Sequence, residues 1–352
     1  MRPGLAAAVI CLLLAGWPAR AQTQTPTPAP AQTLLRVGTN NVATDVGFYL
    51  ADARGYFAAE GIGVDLIPFA SSAMSIAPLG TGDLDVAAGT VAAGLYNAVA
   101  RGLAMRIVAD KGSSRPGHEY STLLIRKDLV ESGRYRGLPD LKGMVIAAAA
   151  QGAGSEAAVD LALRKGGLVW SDIQIVHMGF PEQAAALRNH RIDAGWTNEP
   201  TVTLALREGL AVRASPEALY PGQQTAVVIY SEAFARRRPL AEAFMRAYLR
   251  AVRDYMDALR DGRLVGPAAD AVIDILIART PLKDRAVYHD MTAFVIDPNG
   301  AVNTASLRDD LRFYRARGLV ADPAITATQL VDPSFAAAAV RTLGMVHTAT
   351  KD

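Results

Sequence analysis

The feature that most constrains this chain is an alternation of short apolar strands with helices, which runs through residues 35–109 and restarts at residue 121. Leu35 to Gly38 reads as a strand, followed by a polar loop from Thr39 to Asp45. Val46 to Ala59 reads as a helix and turn stopped by Gly61, and Gly63 to Phe69 alternates apolar and polar residues with the period of two expected of a strand. Ser75 to Thr81 is helical in pattern and Asp85 to Ala88 is a strand. Val91 to Arg101 is a helix ended at Gly102, and Met105 to Ala109 is a fourth strand. The second run repeats the order. Its strands are Ser121 to Ile125, Met144 to Ala149, Ile173 to His177 and Ile192 to Trp196. Its helices are Glu156 to Lys165, with Ser155 as N-cap and Gly166 just past the end, Pro181 to Asn189, and Pro200 to Glu208. Strands separated by single helices predict parallel α/β layering. After a further strand, Ala226 to Tyr230, the chain turns helical. Pro239 opens a helix with Leu240, Phe244, Tyr248, Val252, Tyr255 and Leu259 at spacings of three or four, hence one buried face. Residues 270–279, 307–317 and 333–343 predict three more helices.

The first 33 residues lie outside that pattern. Arg2, an apolar run from Leu5 to Leu14, and Ala19-Arg20-Ala21 have the three parts of a secretory signal peptide, predicted to span 1–21. Gln22 to Thr33 is polar and Pro-rich, and predicts a disordered linker over 22–33. Cys11, the one cysteine of the chain, lies inside the apolar run, so the mature chain would carry no disulfide, thiolate metal site or cysteine nucleophile. The chain carries 36 Lys and Arg against 34 Asp and Glu; two of the bases, Arg2 and Arg20, belong to the leader, which leaves the mature protein neutral. A balanced charge with no basic cluster speaks against a nucleic-acid partner. With 51% apolar residues over 352 positions there is material for two sizeable cores.

Several short segments also match a pattern. Phe48-Tyr49-Leu50-Ala51, Gly55-Tyr56-Phe57 and Glu60-Gly61-Ile62-Gly63-Val64-Asp65 resemble the opening of a periplasmic substrate-binding family of ABC importers, whose members serve uptake of nitrate, sulfonates, taurine or the pyrimidine precursor of thiamine. Asp140-Leu141-Lys142-Gly143, Ile192-Asp193-Ala194 with Glu199-Pro200, and Gly318-Leu319 with Val331-Asp332-Pro333-Ser334-Phe335 resemble later segments of the same family. The resemblance runs in order over almost all of 35–345. It implies a type II periplasmic-binding-protein fold: two α/β lobes joined by two crossover strands, with a ligand cleft between them. Ser121 to Ile125 and Ala226 to Tyr230 are then the expected crossings. Lobe I would comprise 34–121 and 226–352, and lobe II 122–225. The implied function is a monomeric periplasmic protein that captures a small organic solute by lobe closure and delivers it to a membrane permease with its ATPase.

Ligands of open α/β sheets sit beyond the carboxyl ends of the strands, where loops vary freely and helix N-termini favour anions. Those loops supply the candidate ligand-binding residues: Asn40, Asn41, Asp45, Phe48, Ser71, Ser72, Thr90 and Lys111 from lobe I, and Gln151, Ser155, Phe180, Trp196 and Glu199 from lobe II. Several have a second reading. Ser71 and Ser72 equally suit a helix cap, Phe48 and Trp196 a core, and Glu199 its own helix start. The Gly152/Gly154 loop is either an anion cradle or a plain turn; it lacks the ending of a P-loop.

No catalytic residue, metal site or cofactor is expected. His118, His177, His190, His289 and His347 form no H-E-x-x-H pattern, and there is no G-x-S-x-G elbow. The alternative is an exported enzyme of the same fold acting on a small aromatic or heteroaromatic compound, for instance through Asp45 with Glu199. A sensory module that presents its ligand to a receptor needs the same cleft.

Overall fold

The computed structural model describes residues 32–115 and 117–347; the expected leader, and the linker up to residue 31, lie outside them. Ten strands build two five-stranded sheets. The first has the order β2-β1-β3-β10-β4, from β1 (Thr33–Thr39), β2 (Ile62–Pro68), β3 (Val86–Gly89), β4 (Met105–Ser113) and β10 (Gln224–Ser231). The second has the order β7-β6-β8-β5-β9, from β5 (Ser121–Arg126), β6 (Val145–Ala148), β7 (Gln174–His177), β8 (Ala194–Asn198) and β9 (Ala211–Arg213). In each sheet the strands joined by helices run parallel, as a helical crossover requires, and one strand runs against them: β10 pairs antiparallel with β3 and β4, and β5 with β8 and β9. The two sheets thus have the same plan. Among the described residues no helix is long and apolar enough to cross a membrane.

Helices cover both faces of each sheet, as the nearly continuous apolar strands demand. The helix Arg238–Asp257 buries Phe244, Tyr248, Leu249 and Tyr255 against one face of the first sheet, together with the helix Val46–Ala53. The two helices come so close that a Cβ on Gly47 would lie 2.4 Å from Tyr248 Cε2. The helices Ser72–Thr81, Ala93–Ala100 and Thr304–Ala316 cover the other face.

Several expectations change. The expected helix 46–59 is broken into Val46–Ala53 and Tyr56–Ala59, because Gly55 takes a left-handed turn at φ 70°. The strand expected to stop at Ala109 continues to Ser113, so Asp110, Lys111 and Gly112 are strand residues; their polarity had marked a loop, but internal partners satisfy them inside the sheet. Ser155 does not cap its helix, which begins at Gly154 after Ala153, and the left-handed residue past its end is Gly167 rather than Gly166. Ser121 to Ile125 and Ala226 to Tyr230 are not the crossings. Each is the antiparallel inner strand of a sheet, and the chain passes between the sheets through residues 114–120 and 214–223. An apolar alternation marks such a segment as a strand but cannot say which sheet it joins.

Candidate functional site

Because β1 to β4 share one direction, the loops after them open along a single edge of the first sheet; those after β6, β7 and β8 do the same in the second. The two edges meet. Ala93 N–H, in the turn after β3, donates to Gly152 O, in the turn after β6, at 2.9 Å. Gly152 has φ 72°, and a Cβ there would lie 2.9 Å from that of Ala93, so the contact requires glycine. Gln223 Nε2, on the return connection, donates to Gly154 O at 2.8 Å. Thr292 N–H donates to Glu199 Oε1 at 3.1 Å. Carboxyl-end loops of the two sheets are therefore in direct contact, Ala93 against Gly152.

On the side of the first sheet the charged candidates bind each other. Lys111 Nζ lies 2.7 Å from Asp45 Oδ1, with 1% and 0% of the two side chains exposed, and also donates to Thr44 Oγ1 at 2.9 Å. Asp45 Oδ2 accepts from Asn40 N–H at 2.8 Å, Val42 N–H at 3.3 Å and the Tyr49 hydroxyl at 3.3 Å. A carboxylate this deep persists only with such partners. Burial, then the Asp45 charge, pushes the Tyr49 hydroxyl above its ordinary range. Beside the pair, burial raises Asp110 to about 6 although Asp297 N–H, Gln224 Nε2 and Gly112 N–H all donate to it.

Asn40 stands just past β1. Its Nδ2 donates to Ser72 Oγ at 2.8 Å and to Ala88 O at 3.5 Å, which orients the amide. Its Oδ1 is buried and has no partner. Asn41 is half-buried, with the Tyr49 hydroxyl 3.5 Å from its Oδ1. Ser71 and Thr90 are exposed on the same edge. Phe48 is 0% exposed and packs on Tyr248 and Phe244 at 5.3 and 6.1 Å, inside the core.

On the side of the second sheet the glycine loop is closed on itself. Gly152 N–H donates to Glu156 Oε2 at 2.7 Å, and Ala149 N–H to Ser155 Oγ at 3.0 Å. The other oxygen of the buried Glu156 carboxylate holds His177 Nε2 at 2.8 Å. Gln151 is exposed and Phe180 half-buried at the rim. Trp196 is 2% exposed, and its Nε1–H donates to Ser121 Oγ at 2.6 Å within the second core. Glu199 accepts from Thr203 N–H at 2.9 Å and from the Thr203 hydroxyl at 3.0 Å, and burial raises its carboxyl above the usual range.

Sequence reasoning missed three groups here. Ser114 Oγ, just past β4, and Thr197 Oγ1, near the end of β8, are buried without partners. Asp310, in the helix Thr304–Ala316, is 1% exposed; its Oδ1 accepts from the Tyr220 hydroxyl at 2.7 Å and its Oδ2 has no partner. Burial raises Asp310 to about 8. It lines a groove of about 570 Å³ that runs between that helix and the helix Gly154–Lys165. The hydrophobic spacing of Leu307, Leu311 and Tyr314 places Asp310 on the same helix face, which was the one available signal.

Residues 43–258 match the family model described as NMT1/THI5 like. A periplasmic binding protein of an ABC transporter from Brachyspira hyodysenteriae is 29% identical over 201 residues, 54% of this chain and 56% of the relative, so the match spans about half of that protein. The periplasmic aliphatic sulphonate-binding protein of Escherichia coli superposes with a TM-score of 0.65 at 18% identity, covering 86% of this chain and 91% of the other. The periplasmic nitrate-binding protein of Synechocystis superposes with a TM-score of 0.63 at 14% identity, covering 90% of each chain. These structural likenesses establish the periplasmic-binding-protein fold.

Proposed function

The chain belongs to the NMT1/THI5-like family, and on that premise we propose that it is a solute-binding protein that captures a small molecule between the carboxyl edges of its two sheets. The observation that carries this reading is the meeting of those edges at Ala93 and Gly152, across loops from different sheets. Two lobes, one built on each sheet and joined through residues 114–120 and 214–223, close on the solute, and the closed form docks on the permease of an ABC importer. Closure is a population shift, so the solute must bind the closed form more tightly than the open one. To take the closed form from about 1% to 99% requires roughly a 10⁴-fold preference. A leader over 1–21 exports the protein to the periplasm, where it works as a monomer, and the kinship of the Brachyspira protein supports that location.

The enzymatic alternative called on Asp45 with Glu199. Both carboxylates are spent on internal partners, Asp45 on Lys111 and Glu199 on Thr203 and Thr292. That pair offers a reacting group no free base, which favours capture over turnover.

The experiment is a thermal-shift screen of the purified protein against alkanesulfonates, nitrate, aminopyrimidines, aromatic carboxylates and amino acids. A solute at 100 times its dissociation constant adds about 2.7 kcal/mol of stability. One chemical class should raise the melting temperature while the rest do not. Uniform silence from protein stripped of copurified solute would count against the reading.

A further inference from the structure

Resting on that reading, we propose that Gly152 is a positioning residue for capture: its carbonyl caps a helix of the other lobe, and its missing side chain sets how closely the two lobes approach. The first N–H groups of a helix need acceptors from outside the helix. The helix Ala93–Ala100 follows Ala92, whose side chain can accept nothing. Its Ala93 N–H finds an acceptor across the boundary, Gly152 O at 2.9 Å. Parting the lobes removes that acceptor, so this helix start is complete only where the edges meet. Apparent affinity scales with the population of the binding-competent form. A residue that never touches the solute therefore tunes its capture.

Each partner in the contact is held by its own lobe. On the side of the first sheet the Tyr314 hydroxyl donates to Val91 O at 3.2 Å and Ala92 N–H to Thr90 O at 3.2 Å, which fixes the turn leading into Ala93. On the side of the second, Glu156 Oε2 accepts Gly152 N–H at 2.7 Å while its Oε1 holds His177 Nε2 at 2.8 Å. Ala153 N–H donates to Ala150 O at 3.2 Å in the same turn. The Gly152 carbonyl is thus presented by a braced turn rather than a free loop. Two braced surfaces joined by a direct backbone hydrogen bond leave no room for a side chain. A Cβ on Gly152 would stand 2.9 Å from Ala93 Cβ, well inside the 3.5–4.0 Å at which carbon atoms pack. Any other residue would hold the edges apart. Gly133 separates this effect from backbone strain: it has φ 71°, against 72° at Gly152, with nothing within 4 Å of its Cβ position.

The test is amide hydrogen exchange at Ala93 together with solution scattering, on protein stripped of copurified solute. In wild type the Ala93 amide should be protected. Gly152→Ala should speed its exchange about tenfold and enlarge the radius of gyration. Gly152→Ala/Ala93→Gly takes away the colliding methyl and should return the radius to the wild-type value. Gly133→Ala should leave both readouts as in wild type. Ala93→Leu crowds the same contact from the other lobe on ordinary helical backbone; it should enlarge the radius too, and keeps the test valid where Gly152→Ala folds poorly. An unprotected Ala93 amide in wild type, no change in Gly152→Ala, no recovery in the double variant, or an equal change in Gly133→Ala would each overturn the proposal. None of these outcomes decides whether a solute binds, so the proposal can fail while the solute-binding reading stands; that reading falls on the thermal-shift screen.

Discussion

Replacing Asp310 by Asn should flatten the fall of stability with rising pH. The carboxyl is 1% exposed, has one oxygen bonded to Tyr220 and the other to nothing, and burial with the nearby Asp309 charge raises it to about 8. An acid whose folded value exceeds its unfolded value near 4 holds its proton in the folded state and loses it on unfolding. Its stabilising contribution is complete below pH 4 and declines as the pH climbs towards 8, with a slope of about 1.4 kcal/mol per unit where one proton separates the states. Asp110, raised to about 6 by burial, acts with the same sign at lower pH, and its effect cancels in a comparison of wild type with variant. Between pH 6 and pH 8 the wild type should therefore lose about 2 kcal/mol more than Asp310→Asn. For a chain of this size that is a difference of about 3 °C in melting temperature. The amide retains an acceptor for the Tyr220 hydroxyl, so the variant should fold. Differential scanning calorimetry at intervals across that range reads the difference directly. Parallel curves for the two proteins would show that Asp310 titrates as an ordinary carboxyl, and the account of its burial would fall.

Other outcomes follow from single contacts. Lys111→Met leaves Asp45 buried beside no cation and should cost about 3–5 kcal/mol in urea unfolding, whereas the Lys111→Met/Asp45→Asn double variant should recover part of that loss. Trp196→Ala opens a cavity in the second core and should cost about 3–5 kcal/mol of stability, seen as a lower urea midpoint. Gly47→Ala drives a methyl into Tyr248 and should destabilise by about 1–3 kcal/mol, measured by thermal unfolding.

Much of the architecture was legible because its signals are local. Two runs of strand and helix, punctuated by Gly61, Gly102 and Gly209, name a pair of α/β units before any contact is known. The errors arise where a partner distant in sequence overrides local chemistry. Asp110 to Gly112 look like a loop until Asp45, 66 residues from Lys111, supplies the countercharge that lets a lysine sit in a strand. Trp196 was expected to end its strand, but it stands midway along β8, where the pleat turns its ring onto the core and Ser121 accepts its N–H; Thr197, the next residue, is the one left with an unspent hydroxyl. The sequence gives no sign of the pairing of His177, because its carboxylate, Glu156, lies 21 residues away across a helix start. Which groups remain unspent is a property of the whole hydrogen-bond network, and no spacing in the sequence encodes it.

The central claim is that the carboxyl edges of the two sheets hold one solute and release it unchanged. Native mass spectrometry of the purified protein, titrated with the solute that raises its melting temperature most, tests this directly. The account predicts a single adduct per chain at the intact solute mass, together with a smaller radius of gyration by solution scattering as the lobes close. A solute recovered with altered mass would identify an enzyme, and an adduct with no change in dimensions would contradict capture by closure.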